Sequence, residues 1–309
     1  MIPVLKGLGT EVTIYVPKGT YFSLTNSPYP THIISSATDI YAKYPYMPCE
    51  VGEVVKVIEF KPPRFRTDAD GNDYVVLIRV GNHYLKILHV RPSVKVGDVV
   101  KLGDYLGDYL ISGYFRPWSS KHMHVEVRYL NDPLRALGSV DLVPTNELIN
   151  YLRGLRPCRD VVRVRVVSDL GSYYLGELIS CDYVLAYLSS GCWGVLDGGV
   201  PHYSVGGLLL ISDEVPSICG GDLLLNELVI GRYLRSYLRR RLVITLFSKG
   251  FLIKGVTYGL GTYLLSRYVK LVPLSSGADL RIGEVLSLNE VTEVKVKLPR
   301  WFSRLVGKG

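Results

Sequence analysis

Through the middle of the chain, short apolar-rich runs are punctuated by polar turn residues. Residues 52–60 (GEVVKVIEF), 73–80 (DYVVLIRV), 83–90 (HYLKILHV), 99–110 (VVKLGDYLGDYL) and 122–130 (HMHVEVRYL) have the length of strands and are rich in β-branched and aromatic residues. Gly, Pro, Asn and Asp bound them, and two turn signals stand out: Asp70-Gly71-Asn72, and Gly81-Asn82, which predicts a tight hairpin. The series predicts a mainly β fold, an antiparallel sheet curling toward a sandwich or barrel.

The pattern changes near residue 145. In PTNELINYLRGLRP, Thr145 or Asn146 precedes an amphipathic run that Gly154 and Pro157 would stop, which predicts a short helix. A domain boundary is expected there, giving domains of residues 1–156 and 157–309. Beyond it strands return, in VVRVRVVSD, YYLGELIS, YVLAYLSS, GGLLLIS, LRIGEVLSL and EVKVKL, with RYLRSYLRRRL either a helix or a basic strand. This half carries no P-loop, no dinucleotide-binding glycine pattern and no paired histidine, so the expectation is a β-rich accessory domain. No solenoid-type repeat is visible.

Composition narrows the classes. With 48% hydrophobic and 21% charged residues, the 309-residue chain is globular and long enough for two cored domains. The net charge of +8 is spread thinly, 16 basic against 13 acidic residues over 1–140 and 20 against 15 beyond, so a nucleic-acid partner is not expected. The basic run Arg232, Arg235, Arg239, Arg240 and Arg241, interleaved with Tyr233 and Tyr237, reads as a solvated face. The basic tail with Trp301 and Phe302 reads either as a docking segment or, more simply, as a frayed terminus. No Cys-x-x-Cys spacing occurs among Cys49, Cys158, Cys181, Cys192 and Cys219, which are expected as buried small residues rather than ligands. No secretory leader and no transmembrane run are visible, so a cytoplasmic location is expected. The complete absence of Gln fits a hot-living source, in which intracellular disulfides also occur.

Candidate chemistry lies with the histidines, five of which fall in the first domain: His32, His83, His89, His122 and His124. His122 and His124, two apart in a strand, share one face and can converge on a point. Catalytic zinc wants three protein ligands and an open position, and Asp39, His32 and His89 lie on segments that one sheet could bring to the same groove. Glu126 shares the face of His122 and His124, and either orients a ligand or stands exposed. His83 reads as a solvated hairpin residue, and His202, in GGVPHYSVGG, as part of a turn.

Taken in order, these pieces resemble the lysostaphin-like M23 metallopeptidase family. The resemblance runs through His32, Asp39-Ile40-Tyr41-Ala42, Gly52-Glu53-Val54-Val55, Asp73-Tyr74-Val75-Val76, Leu88-His89-Val90, the Val96-Gly97-Asp98-Val99 segment and His122-Met123-His124-Val125-Glu126, about a third of the chain. It implies the duplicated-hybrid, lysostaphin-like β fold, Zn²⁺ held by His32, Asp39 and His124, and His89 and His122 as catalytic histidines that are not ligands. It further implies a zinc-dependent endopeptidase acting on a peptide or peptide-like substrate. Two departures stand out. The family places three residues between its first His and Asp, whereas six separate His32 from Asp39; archaeal relatives share a similar stretch. The family also has small residues before the last strand, where this chain has Tyr114-Phe115-Arg116-Pro117-Trp118, bulky groups that would narrow or wall the groove. Two other readings compete: a metal-containing peptide- or glycan-binding module without turnover, and a biotinyl- or lipoyl-type carrier, which lacks its modifiable lysine here and leaves the histidines unexplained.

Overall fold

The computed structural model of the chain describes residues 1–27, 29–135, 138–211, 219–237, 241–277 and 279–295. It is mainly β and divides into two compact units, Met1–Leu24 with Pro30–Leu155, and Thr25–Tyr29 with the chain from Arg156 onward.

The first unit contains β1 (Ile2–Gly7), β2 (Thr13–Val16), β3 (Tyr21–Ser23), α1 (Pro30–Ile33), β4 (Ala37–Tyr41), β5 (Val51–Phe60), β6 (Asp73–Val80), β7 (His83–Leu88), β8 (Val90–Pro92), β9 (Val99–Lys101), β10 (Gly107–Tyr109), β11 (Met123–Tyr129), β12 (Leu142–Pro144) and α2 (Asn146–Arg153). Seven strands form one antiparallel sheet in the order β3-β4-β11-β7-β6-β5-β9. Gly81 and Asn82 make the expected two-residue hairpin, with Val80 opposite His83 and Gly81 at φ 55°. The predicted helix is α2, whose Thr145 hydroxyl accepts the Leu148 N–H at 3.1 Å and whose run ends at Gly154. Residues 99–110 are not one strand. Gly103 (φ 91°) and Gly107 (φ 144°) turn the chain, so that β9 closes the large sheet while β10 pairs with β8 in a separate two-stranded ribbon.

Burial explains where chemistry can reside. β4 is buried at every position and β11 at every position but the last, as strands flanked on both sides and covered on both faces must be. Such strands are ordinarily apolar throughout, yet these two carry Asp39, His124, Glu126 and Arg128. Each buried polar group must therefore find a partner inside the protein.

In the second unit, strict alternation buries Val162, Val164 and Val166 and leaves Arg163 and Arg165 exposed. Six strands close on themselves: Tyr183–Leu188, Trp193–Val200, Val205–Leu210, Leu242–Phe247, Leu228–Tyr237 and Asp222–Leu225, the last pairing back to the first. Closure removes the sheet edges that an open array would expose. The predicted helix-or-strand RYLRSYLRRRL is strand as far as Tyr237, and LRIGEVLSL shortens to Val285–Leu288. Only Glu293 of EVKVKL lies in a strand among the described residues. Arg239, Arg240, Trp301 and Phe302 fall outside them. Four of the cysteines are paired, Cys158 with Cys181 and Cys192 with Cys219, and Cys49 is a buried free thiol. No helix among the described residues is long and apolar enough to cross a membrane.

Candidate metal centre

The register of the sheet sets the centre of the site. Asp39 on β4 lies directly opposite His124 on β11, and His124 lies opposite Leu88 on β7, the residue before His89. Side chains at paired positions share a face, so Asp39 and His124 meet without any loop having to carry them there.

His32 reaches the same point from α1, and the local backbone shows how the six-residue spacing closes. The chain makes one helical turn, with the Ile34 N–H donating to the Pro30 carbonyl and the Ser35 N–H to the His32 carbonyl. Ser35 then takes a left-handed φ of 56°, and β4 begins two residues later. The extra residues are absorbed in a tight turn beside the sheet, which leaves the imidazole pointing at Asp39.

His32 Nε2 lies 3.2 Å from Asp39 Oδ1 and 3.2 Å from His124 Nδ1, and His124 Nδ1 lies 3.0 Å from Asp39 Oδ1. Two imidazole nitrogens and a carboxylate oxygen thus converge, all on buried residues, close enough to hold one metal ion. The outward nitrogens are occupied. His32 Nδ1 donates to the Leu24 carbonyl at 2.7 Å, and His124 Nε2 faces Glu126 Oε1 at 3.0 Å. Anchoring the far nitrogen of a histidine in this way fixes its tautomer and aims the near lone pair. The donor set, two nitrogens and one oxygen, suits zinc, whose catalytic sites take three such ligands.

Glu126 is itself held from behind. Lys86 Nζ donates to Oε1 at 3.2 Å, while Arg128 Nη1 at 3.1 Å and the Ser139 hydroxyl at 2.8 Å donate to Oε2. Arg128 is fully buried and also donates to the Asp132 carbonyl, at 2.7 Å from Nη2. Nothing in the runs 83–90 and 122–130 marks Lys86 or Arg128 as part of this network, because each is a lone charge within a strand. Arg128→Met is expected to lower the unfolding free energy of this unit by roughly 3–5 kcal/mol by leaving part of a buried charge uncompensated. A shifted urea midpoint at unchanged slope would register it, and a midpoint equal to wild type would contradict it.

His122 and His89 flank the three donors. His122 Nδ1 donates to the Ser120 carbonyl at 2.7 Å, and Nε2 stands 3.5 Å from Asp39 Oδ2. His89 occupies the single residue between β7 and β8 at φ 67°, and its ring lies 5.4 Å from that of His122 and 6.1 Å from that of His124, centre to centre. Phe115, from the bulky segment before β11, stacks on His122 at 4.5 Å and meets His89 edge-on at 4.8 Å. It therefore walls the histidines directly. His83 is not a solvated residue: its Nδ1 lies 3.3 Å from Glu11 Oε1, and its ring is mostly covered, 5.9 Å from that of Tyr129. His202 sits in a turn of the second unit, as its glycine-rich surroundings predict.

The electrostatics follow from burial and pairing. Burial opposes the charge on Asp39, but the imidazoles of His32 and His122 and the hydrogen bond from His124 hold its carboxyl well below the usual range. Burial likewise works against charged His124, yet its bonds to Asp39 and Glu126 raise it to about 9. His122, whose main influence is burial, is pushed down to about 4 despite Asp39. Burial would raise Glu126, and His124, Lys86 and Ser139 bring it to about 2. The site is a compact set of opposed charges whose donors all face inward.

Comparison with known proteins adds three findings. Residues 13–144 match a family model described as a domain of unknown function (DUF8155), N-terminal domain. No curated protein matches the chain by sequence. Among solved structures, the antimicrobial peptidase lysostaphin from Staphylococcus simulans aligns at 11% identity over 90% of this chain and 98% of its own, with a TM-score of 0.27.

Proposed function

We infer that the first unit is a zinc-dependent hydrolase of peptide or amide bonds, of the M23 endopeptidase type. The observation that carries this reading is the convergence of His32 Nε2, Asp39 Oδ1 and His124 Nδ1 to within 3.0–3.2 Å of one another, flanked by two further histidines. His32, Asp39 and His124 would hold the ion. When bound, it supplies Lewis acidity, lowering the pKa of water and polarising a scissile carbonyl.

The remaining work falls to the chain's own side chains. With its Nδ1–H committed to the Ser120 carbonyl, His122 has Nε2 as the nitrogen that would accept a proton from an attacking water and return it to the leaving amine. His89, whose ring lies 5.4 Å from that of His122, is the second proton-carrying group. Phe115, stacked on one histidine and edge-on to the other, holds both rings and keeps bulk water from that flank. Glu126 orients His124, and Lys86 and Arg128 hold Glu126. The substrate is a peptide or peptide-like chain. A cytoplasmic location belongs to the same proposal and would place the substrate elsewhere than in a bacterial cell wall.

The test is metal content followed by turnover. Purified full-length protein should carry about one zinc per chain. His122→Ala should keep that zinc and lose hydrolysis of Gly-rich or cross-link peptides by roughly 10²–10⁴-fold. Zinc absent from the wild type would sink the metal reading altogether. Zinc present, with no peptide cut by the wild type, would leave a metal-containing binding module.

A further inference from the structure

Asp73, the first residue of β6, is fully buried, and each oxygen of its carboxylate accepts two hydrogen bonds. Oδ1 takes the backbone N–H of Tyr74 at 2.7 Å and of His89 at 3.1 Å. Oδ2 takes Nδ1–H of the His89 ring at 2.7 Å and the Ser112 hydroxyl at 2.6 Å. One carboxylate therefore grips both the main chain and the ring of a single histidine. The main chain is where a grip is needed, because His89 sits at φ 67°, a conformation that strains a residue bearing a Cβ and persists only when its surroundings enforce it.

We propose that Asp73 is the positioning residue for His89: it fixes the ring in the tautomer protonated on Nδ1 and leaves Nε2 as the nitrogen that exchanges protons at the His32–Asp39–His124 site. This rests on His89 being a proton-carrying group, as read above. A saturated carboxylate only accepts, so the ring nitrogen facing it must bear the hydrogen. A proton taken up at Nε2 leaves the Nδ1–H bond to Asp73 in place, and returning it restores the starting tautomer. The arrangement follows the general logic by which a buried carboxylate orients a catalytic imidazole. Ser112 supplies the second donor to Oδ2 and stops the carboxylate from rotating away.

Asp73→Asn discriminates sharply, because the acceptor pattern dictates how an amide must sit. Its oxygen has to face the two backbone N–H groups, so its NH₂ faces His89 Nδ1 and favours the opposite tautomer, protonated on Nε2. The experiment is long-range ¹H–¹⁵N NMR on full-length protein labelled in histidine, with the His89 signals assigned by their loss in His89→Ala, recorded without zinc and with zinc added. Wild type is expected to show pyrrole-type Nδ1 and Asp73→Asn pyridine-type Nδ1, while Asp73→Glu, which keeps an acceptor, retains the wild-type pattern. Zinc content should be unchanged in all three, and kcat in Asp73→Asn should fall roughly 10²–10⁴-fold with little change in KM. Pyridine-type Nδ1 in the wild type overturns the proposal even if the variant fails to fold. So does an unchanged tautomer in a folded Asp73→Asn, or an exchanged tautomer with wild-type kcat. A wild type with the expected tautomer, zinc bound and no peptide cut would overturn the peptidase reading while supporting the grip of Asp73 on the ring.

Discussion

His124→Ala is expected to abolish zinc binding while the chain remains folded by circular dichroism. His124 lies opposite Asp39 in the sheet, meets both Asp39 and His32 through Nδ1, and is anchored by Glu126 through Nε2. Its loss leaves two donors, one fewer than zinc sites of this kind use. Removing a partner that merely orients a ligand costs about 10–100-fold in metal affinity, so removing the ligand itself should exceed that range, and Glu126→Gln should fall within it. The effect should also appear in stability. Zinc at about 1,000 times its dissociation constant stabilises a native protein by ~4 kcal/mol, which for a unit of this size raises the melting temperature by on the order of 10 °C. Wild type should show that rise and His124→Ala should show none. Equal zinc stoichiometry in wild type and variant would place the metal elsewhere and remove the basis of the proposed function.

Reduction of the two disulfides is expected to be the largest single loss of stability, and it should fall on the second unit. The bonds Cys158–Cys181 and Cys192–Cys219 close loops of 23 and 27 residues. On the chain-entropy account, each restricts the unfolded state enough to stabilise the fold by about 3.5 kcal/mol, and together by about 7 kcal/mol if they act independently. That is comparable with the whole stability of a typical domain. Calorimetry with and without reductant, alongside Cys192→Ala and Cys158→Ala, measures it. A melting profile insensitive to reductant in a protein whose thiols titrate as free would show that the bonds do not support the fold.

The comparison between sequence and structure turns on which residues interact locally. Runs rich in β-branched and aromatic residues over 73–80 and 83–88, and alternation of apolar and polar positions over 162–166, determined those strands, the Gly81-Asn82 pair determined its hairpin, and Thr145 with Gly154 determined α2. Each of these signals acts between neighbours in the chain, where period and turn chemistry are readable directly. His122 and His124 were legible as a pair for the same reason. The split of residues 99–110 was hidden because glycine conformations, not composition, turn the chain there.

The centre of the site was decided by tertiary structure. Whether His32 could reach Asp39 depended on a helical turn and a left-handed Ser35 that no periodicity announces. Asp73 reads in the sequence as the opening polar residue of a strand, and becomes the holder of His89 only because β6 and β7 pair and His89 leaves the sheet at a positive φ. Lys86 and Arg128 sit at buried positions of β7 and β11, where only tertiary packing brings them to Glu126. The cysteine pairing, too, joins residues 23 and 27 apart in the chain, which only the tertiary fold brings together. The sequence alone therefore determined the elements, through short-range steric and hydrophobic periodicity, while strand register and burial determined which of their polar side chains meet, since those contacts join residues far apart in the chain and are enforced by the cost of leaving a buried polar group unpaired.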